Sequence, residues 1–438
     1  MHTLTPNPKP AIRHSPSAIR HSPSAIRHSP FVIHLALQQR VLPAYRAPFF
    51  DMLADACDGG LSVFAGQPLP VEGIATADHL ELARLTPARN LHFRDPSSSA
   101  YLCWQRGLTR WLDEWQPDAL IVEANPRYLS TRLAVRWMHA RGKPILGWGL
   151  GAPPLGGFLA PLRRWNRLSF LRSLDGVIAY SRRGAEEYRT LGLPPERVFV
   201  ACNAVAPRPT TPPPERSLPL GGPPTVLFVG RLQARKRIDI LLHACAALSE
   251  SLQPQLIVVG DGSVISNLQS LAQQIYPSTE FTGAKHGPEL KQYFAAADLF
   301  ALPGTGGLAV QQAMTHGLPV IVAKGDGTQD DLVRPQNGWQ VPPGNQEAFT
   351  QTLRAALADI PRLRRMGAES FRIVTEEINL EAMVGVFVEA IGAVRRETVS
   401  QPLATCHLPP ATCLLPLASC SLAHAIISTT PLCRWRQK

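Results

Sequence analysis

The chain has 438 residues, 45% hydrophobic and 18% charged, with 42 prolines and a net charge of +11. That length exceeds one ordinary core, so two domains are expected, each large enough to bury its own. The charge is local: residues 127–172 hold nine Arg and Lys and no acid, both chain ends are basic, and the remainder is acidic on balance. This excludes a protein that coats nucleic acid and points to one basic surface.

Residues 1–30 carry a strict heptapeptide repeat, AIRHSPS, from Ala11. Residues 399–438 carry another, ATCHLPP-ATCLLPL-ASCSLAH, from Ala404. So many prolines leave no helical face, and seven residues are too few for a solenoid repeat. A seven-nucleotide tandem repeat read in frame yields this period, and both tracts are expected to be disordered. The rival reading of Cys406, Cys413 and Cys420 is a metal or disulfide array, but their even spacing lacks the paired C-x-x-C of zinc sites. Cys57, Cys103, Cys202 and Cys245 are scattered, as free thiols are in a reducing cytoplasm. No secretory h-region precedes the first repeat. The long uncharged run 144–162 contains five Gly and four Pro, which suits a cleft loop and not a spanning helix.

Between the ends, short apolar runs alternate with polar or helical segments. FVIHLAL, LSVFAG, DALIVEA, KPILGWG and DGVIAYS predict strands of an N-terminal domain over 31–206. The Pro-rich stretch 207–224 reads as a linker. PTVLFVG, PQLIVVG, STEFTG, DLFALPG and LPVIVA then predict a second domain over 225–396, whose last helix is expected to cross back to the first. The expected fold is α/β: two doubly wound, Rossmann-like domains facing a cleft, with ligands at the carboxyl ends of the strands.

Five motifs occur in order in the second half: VLFVGRLQARKRIDILLHAC, LIVVGDGSVISNLQSLA, FTGAKHGPELKQYFAAADLFALPG, GLAVQQAMTHGLPVIVA and QNGWQVPPG. Together they resemble the donor domain of retaining GT-B glycosyltransferases of family 4, the group 1 transferases. AYSRRGAEEYRTLGLPPERVFVACNAV resembles the close of their N-terminal domain, so the resemblance spans roughly residues 31–396. It implies a nucleotide-sugar donor, a glycan, lipid-linked or small-molecule acceptor, retention of configuration, and no metal or other cofactor. With no secretory signal and no spanning run, a cytoplasmic place is expected, peripheral on the inner membrane face as an option. The alternative is a glycosyltransferase-like protein that binds a nucleotide or glycan without turnover. A 2-epimerase of the same fold would want acidic and His residues that this chain lacks.

GRLQARK places Gly230 and Arg231 just past a strand end and Lys236 five residues on. Fixed cations there stabilise the charge that grows on a departing diphosphate, whereas the bland reading is a solvated RKR turn. In the resembling family the turn beginning PGTGG carries two Glu separated by seven residues; those positions are Gly304 and Gln312 here. Gln312 keeps an acceptor oxygen for a ribose, and Gly304 keeps nothing. Thr305, Gly306, Gly307 and Leu308 lie where N–H groups at a helix start meet sugar or phosphate. Gly317 reads as a packing glycine.

In the same resemblance 283–287 is the loop against which the nucleobase packs, with Gly283 and Lys285 as contacts. Asp261 reads as a helix cap, and QDDL as the first turn of a helix. Tyr45 and Arg46, in the first strand-to-helix loop, are acceptor-side candidates, with a helix-start role for Pro48 as the plain alternative. Glu123 is the acid best placed at a strand end. Arg163, Arg164 and Arg167, beside Trp165 and Phe170, suit anionic lipid head groups or a phosphate-bearing acceptor, or else a solvated helix.

Overall fold

Aliphatic runs flanked by helices give two parallel sheets in the computed structural model, which describes residues 32–96, 98, 100–218, 221–304, 306, 308–325 and 327–400, with side chains to 396. Both terminal repeats, with Cys406, Cys413 and Cys420, lie outside the described residues.

The N-terminal half contains β1 (Leu35–Val41), β2 (Leu61–Gly66), β3 (Arg84–Pro87), β4 (Arg89–Phe93), β5 (Leu102–Arg106), β6 (Ala119–Glu123), β7 (Ile145–Gly149), β8 (Gly176–Ala179) and β9 (Val198–Val200). Seven of these form a parallel sheet of order β3-β2-β1-β6-β7-β8-β9, while β4 and β5 make a separate antiparallel ribbon. The second half contains β10 (Thr225–Val229), β11 (Gln255–Val259), β12 (Glu280–Gly283), β13 (Leu299–Leu302), β14 (Val320–Ala323) and β15 (Gly338–Val341). They form one sheet of order β12-β11-β10-β13-β14-β15. β2, β8, β13 and β14 are buried on both faces, as a parallel sheet covered by helices on each side requires.

The strand order reverses between β1 and β6 in one sheet and between β10 and β13 in the other. Loops leaving adjacent strands part there in opposite directions and open a crevice. All ten predicted strands are present. The first is displaced: FVIHLAL places it at 31–37, yet β1 runs from Leu35 through the polar Gln38, Gln39 and Arg40.

The last helix, Leu380–Ser400, packs Phe387 against Phe49 and Trp148 of the N-terminal domain, with ring centroids 4.9 and 5.1 Å apart. It runs two residues into the stretch read as tail from 399. The linker is tied down. Arg216 donates to the carbonyls of Ala297, Phe294 and His316 at 2.7–3.0 Å. Pro213 sits against Gly317, whose φ of +66° also suits the residue that ends a helix.

Candidate active site

Two groups of polar residues stand at the two switch points. On the donor side, the chain leaving β10 turns through residues 230–237. Lys236 is buried, and its Nζ donates to the carbonyl of Gly306 at 2.7 Å. Burial, with the cations of Arg235 and Arg231 nearby, pushes its pKa down to about 8. A Cβ built on Gly306 would lie 3.4 Å from Arg235 Nη1 and 3.8 Å from Lys236 Nζ. Arg235 and Lys236 therefore converge on the loop between β13 and the helix Ala309–Thr315. Thr305 and Gly307 lie outside the described residues.

Gly304 explains the missing acid. A Cβ there would fall onto the carbonyl oxygen of Arg235 and the backbone of Lys236, so no larger residue fits beside this loop. The loop that carries Lys236 occupies the space a side chain at 304 would need. Gln312 is exposed on the helix that follows, and Leu308 is partly exposed at its start. Gln311, which the sequence reading passed over, is buried and structural: its Oε1 accepts from Val205 N at 2.7 Å and its Nε2 donates to Ile378 O at 2.8 Å.

Arg231 turns the other way. Its Nη1 donates to the carbonyl of Gly73 in the N-terminal domain, so the two sequence-predicted cations diverge. Gly230 is at φ +155° beside Gly260, where a Cβ would meet the Gly230 carbonyl. Gly283 takes φ +73°, and Lys285 pairs with Glu289 at 3.4 Å. Asp261 does not cap the next helix. Its carboxylate accepts from Gly262 N, and the helix starts at Ile265 without a side-chain cap. In the QDDL helix, Asp331 accepts from Arg182 N at 2.9 Å and pairs with its guanidinium at 3.3 Å.

On the acceptor side, Glu123 ends β6 and accepts from Arg40 N at 3.3 Å. Desolvation lifts its carboxyl to about 7 against the opposing pull of Arg40 and Tyr128. The Arg40 guanidinium donates to both oxygens of Glu72, at 2.6 and 2.9 Å. Glu72 adjoins Gly73, which receives Arg231, so three contacts lead from the donor-side loop to Glu123. Arg40 and Glu72 were missed. The only signal was a polar QQR at the end of an apolar strand.

Tyr45 is 44% exposed at the rim, while Arg46 is buried among rings, its Cζ 4.9 Å from Trp148, 5.5 Å from Tyr180 and 5.4 Å from Tyr45. Pro48 does occupy the first turn of the helix Ala47–Asp55. On the helix Ala160–Arg172 the basic strip splits: Arg163 and Arg167 bend back to the carbonyls of Gly156 and Pro153, and Arg164 is exposed. Phe158 (98% exposed), Leu159, Leu162 and Trp165 form the outer face instead. Among the described residues, no helix is long and apolar enough to cross a membrane, and no three His, Cys, Asp or Glu are grouped to hold a metal.

Two Rossmann-like domains with polar switch points, touching through Arg231 and Gly73, define a GT-B architecture. A family model described as "Glycosyl transferases group 1" matches residues 223–359, and one described as "Glycosyl transferase 4-like domain" matches 57–204. The chain belongs to this glycosyltransferase family. It is 37% identical over 154 residues to a GDP-mannose-dependent alpha-mannosyltransferase of Mycobacterium tuberculosis, covering 34% of this chain and 38% of that protein. It is 24% identical over 300 residues to the lipopolysaccharide core biosynthesis glycosyltransferase LpsE of Rhizobium meliloti, covering 65% and 87%. The fold matches Anabaena Alr3699/HepE in complex with UDP, with a TM-score of 0.62 at 16% identity over 82% of this chain and 99% of that one. The chain thus spans well under two thirds of the first of these relatives.

Proposed function

We propose that the protein transfers a sugar, with retention, from a nucleoside-diphosphate donor to a glycan, lipid-linked or small-molecule acceptor. The observation that carries this reading is the convergence of Lys236 and Arg235 on Gly306, at the switch point of a domain that matches the group 1 model. A diphosphate entering there would replace the Gly306 carbonyl as the partner of Lys236. The cations then meet the charge that grows as the anomeric C–O bond breaks. The acceptor oxygen forms the new bond to the anomeric carbon, and its proton passes to the leaving phosphate, which needs no carboxylate at 304. With cations in that role the transfer is expected to survive chelators. Names of relatives support the donor class: one is GDP-mannose-dependent, and HepE was solved with UDP.

The second reading, binding without turnover, is favoured by the blocked position 304 and by Gln312. Screening nucleotide sugars for thermal-shift stabilisation and then for hydrolysis separates the two; a ligand at 100 times its dissociation constant adds roughly 2.7 kcal/mol. Stabilisation with release of free sugar supports transfer. Stabilisation without it supports the binding protein, and no response to any nucleotide sugar defeats transfer and leaves the binding protein only a ligand other than a nucleotide.

Work at the cytoplasmic face of a membrane fits the four described free cysteines and the apolar rim Phe158, Leu159, Leu162 and Trp165 flanked by Arg164. An amphipathic surface of this kind lies in the head-group region of an anionic bilayer and brings a lipid-linked acceptor to the crevice.

A further inference from the structure

Arg46 is 5% exposed, its Nη1 is buried without a hydrogen-bond partner, and among the described residues no carboxylate forms an ion pair with it. A guanidinium has five donors and always carries charge, so burying one among rings leaves most of its hydrogen-bonding capacity unused. The surrounding rings supply only their faces. A second donor in the same cluster, Trp148 Nε1, is also buried without a partner. Arg46 further occupies the position before the helix Ala47–Asp55, whose start has no side-chain cap and no acid in its first turn. The two buried groups left without a partner in this cluster, Arg46 Nη1 and Trp148 Nε1, both donate. Glu123, an acid at these strand ends, is engaged by the Arg40 backbone and the Tyr128 hydroxyl.

The place also matters. Arg46 follows β1, Trp148 is the second-to-last residue of β7 and Tyr180 follows β8, so the cluster lies at the carboxyl edge of the N-terminal sheet. Tyr45 opens one side of it to solvent. The donor diphosphate has its own cations on the other domain, in Lys236 and Arg235. An anion on this side therefore belongs to the acceptor.

We infer that Arg46 is the anchor for an anionic oxygen group, a phosphate or a carboxylate, carried by the acceptor, with the rings of Tyr45, Trp148 and Tyr180 holding the guanidinium in place. This rests on the transferase reading and names the class of acceptor: a phosphorylated sugar or polyol, or a uronic acid. The rings fix the planar fork at little entropic cost, and the anion supplies the hydrogen bonds that they cannot.

The test uses the full chain saturated with a nucleoside diphosphate, so that the donor cations are occupied. It is titrated in separate arms with inorganic phosphate, glycerol 3-phosphate and glucuronate, and binding is followed by tryptophan fluorescence, which Trp148 reports. Saturable binding in the phosphate arms or in the glucuronate arm is expected, and which arm responds identifies the group. Arg46→Gln should weaken it by at least about tenfold. Should that variant fail to fold, Arg46→Lys is read instead; it keeps the charge but not the fork, and a clear loss of affinity is still expected. The inference is overturned if no arm saturates, or if the variant that folds binds as the unaltered protein does. Nucleoside diphosphate binding in the same samples separates the outcomes: its absence sinks the transferase reading itself, whereas its presence with an indifferent Arg46 sinks only this inference.

Discussion

Lys236 donates to the Gly306 carbonyl and is pushed down in pKa by burial and by two neighbouring cations, to about 8 in the free protein. A bound diphosphate favours the ammonium, so binding takes up a proton around that pH. Affinity for a nucleoside diphosphate should be full below about 8 and fall as pH rises further, by up to roughly tenfold per unit. Lys236→Arg, which stays charged, should flatten the profile; calorimetry across pH 7 to 9.5 in buffers of different ionisation heat would show both. A profile that is flat in the unaltered protein would remove Lys236 from the phosphate site.

Gly304 and Gln312 stand where the resemblance implies two acids, yet they should respond differently to a carboxylate placed there. Gly304→Glu must push against the backbone of residues 235–236, which costs about 1–3 kcal/mol of overpacking and displaces Lys236. Lower melting temperature and weaker nucleotide binding are expected together. Gln312→Glu, on an exposed helix position, should leave stability unchanged and keep or improve donor affinity. Arg235→Ala and Lys236→Ala should each cut transfer more than Gln312→Ala. A bond to a charged group is worth roughly 1.5–3 kcal/mol and a neutral one about 0.5–1.5, and only the cations meet charge that grows in the transition state. Comparable losses in all three would argue that the cations bind without assisting bond cleavage.

At the scale of elements, the helix Ala160–Arg172 shows how far sequence patterning reaches. Its basic residues were legible as a strip, but the fold turned Arg163 and Arg167 inward onto loop carbonyls and left the apolar residues outside. Membrane contact should accordingly depend more on Phe158 and Trp165 than on the arginines. In flotation with vesicles containing anionic lipid, Phe158→Ser with Trp165→Ser should abolish binding, while Arg164→Gln should weaken it modestly and in a salt-dependent way. Binding that survives the double change would assign the helix to ordinary solvent exposure. β1 teaches the same lesson from inside. QQR reads as the end of a strand, yet Gln38 continues it by accepting from Thr131 Oγ1 at 3.1 Å and donating to Gln105 at 2.6 Å. Those partners lie 93 and 67 residues away, beyond any local pattern.

Across the whole molecule, contacts between the halves include Arg231 to Gly73, Arg182 and Arg183 to Asp331 and Asp330, Gln311 to Val205, and Phe387 within the ring cluster of Phe49 and Trp148. Removing residues 1–30 and 401–438 should leave the melting temperature and nucleotide binding unchanged, because Pro-dense repeats offer no face to bury. A drop of several degrees in a thermal melt would overturn that reading of the ends. Phe387→Ala should destabilise by about 3–5 kcal/mol, since it vacates a fully buried site between the last helix and the first domain. Equilibrium unfolding in urea would register the change, and a loss below 1 kcal/mol would mean that the last helix contributes little to holding the halves together.

Strand periodicity, the Pro-rich linker and the ordered glycine motifs were enough to establish two doubly wound domains and to put the donor-side cations at a strand end, because these features are local and each is set by a few neighbouring residues. The acceptor side was another matter. Arg40, Glu72 and Glu123 come from three distant stretches, and Arg46 meets the rings of Trp148 and Tyr180 only when β1, β7 and β8 are brought into one sheet. Whether Gly304 was an empty place or a filled one also waited on tertiary structure, since the answer is a backbone contact with residues nearly seventy positions earlier. Burial, charge pairing and steric exclusion depend on which segments meet, and only the folded chain brings those segments together.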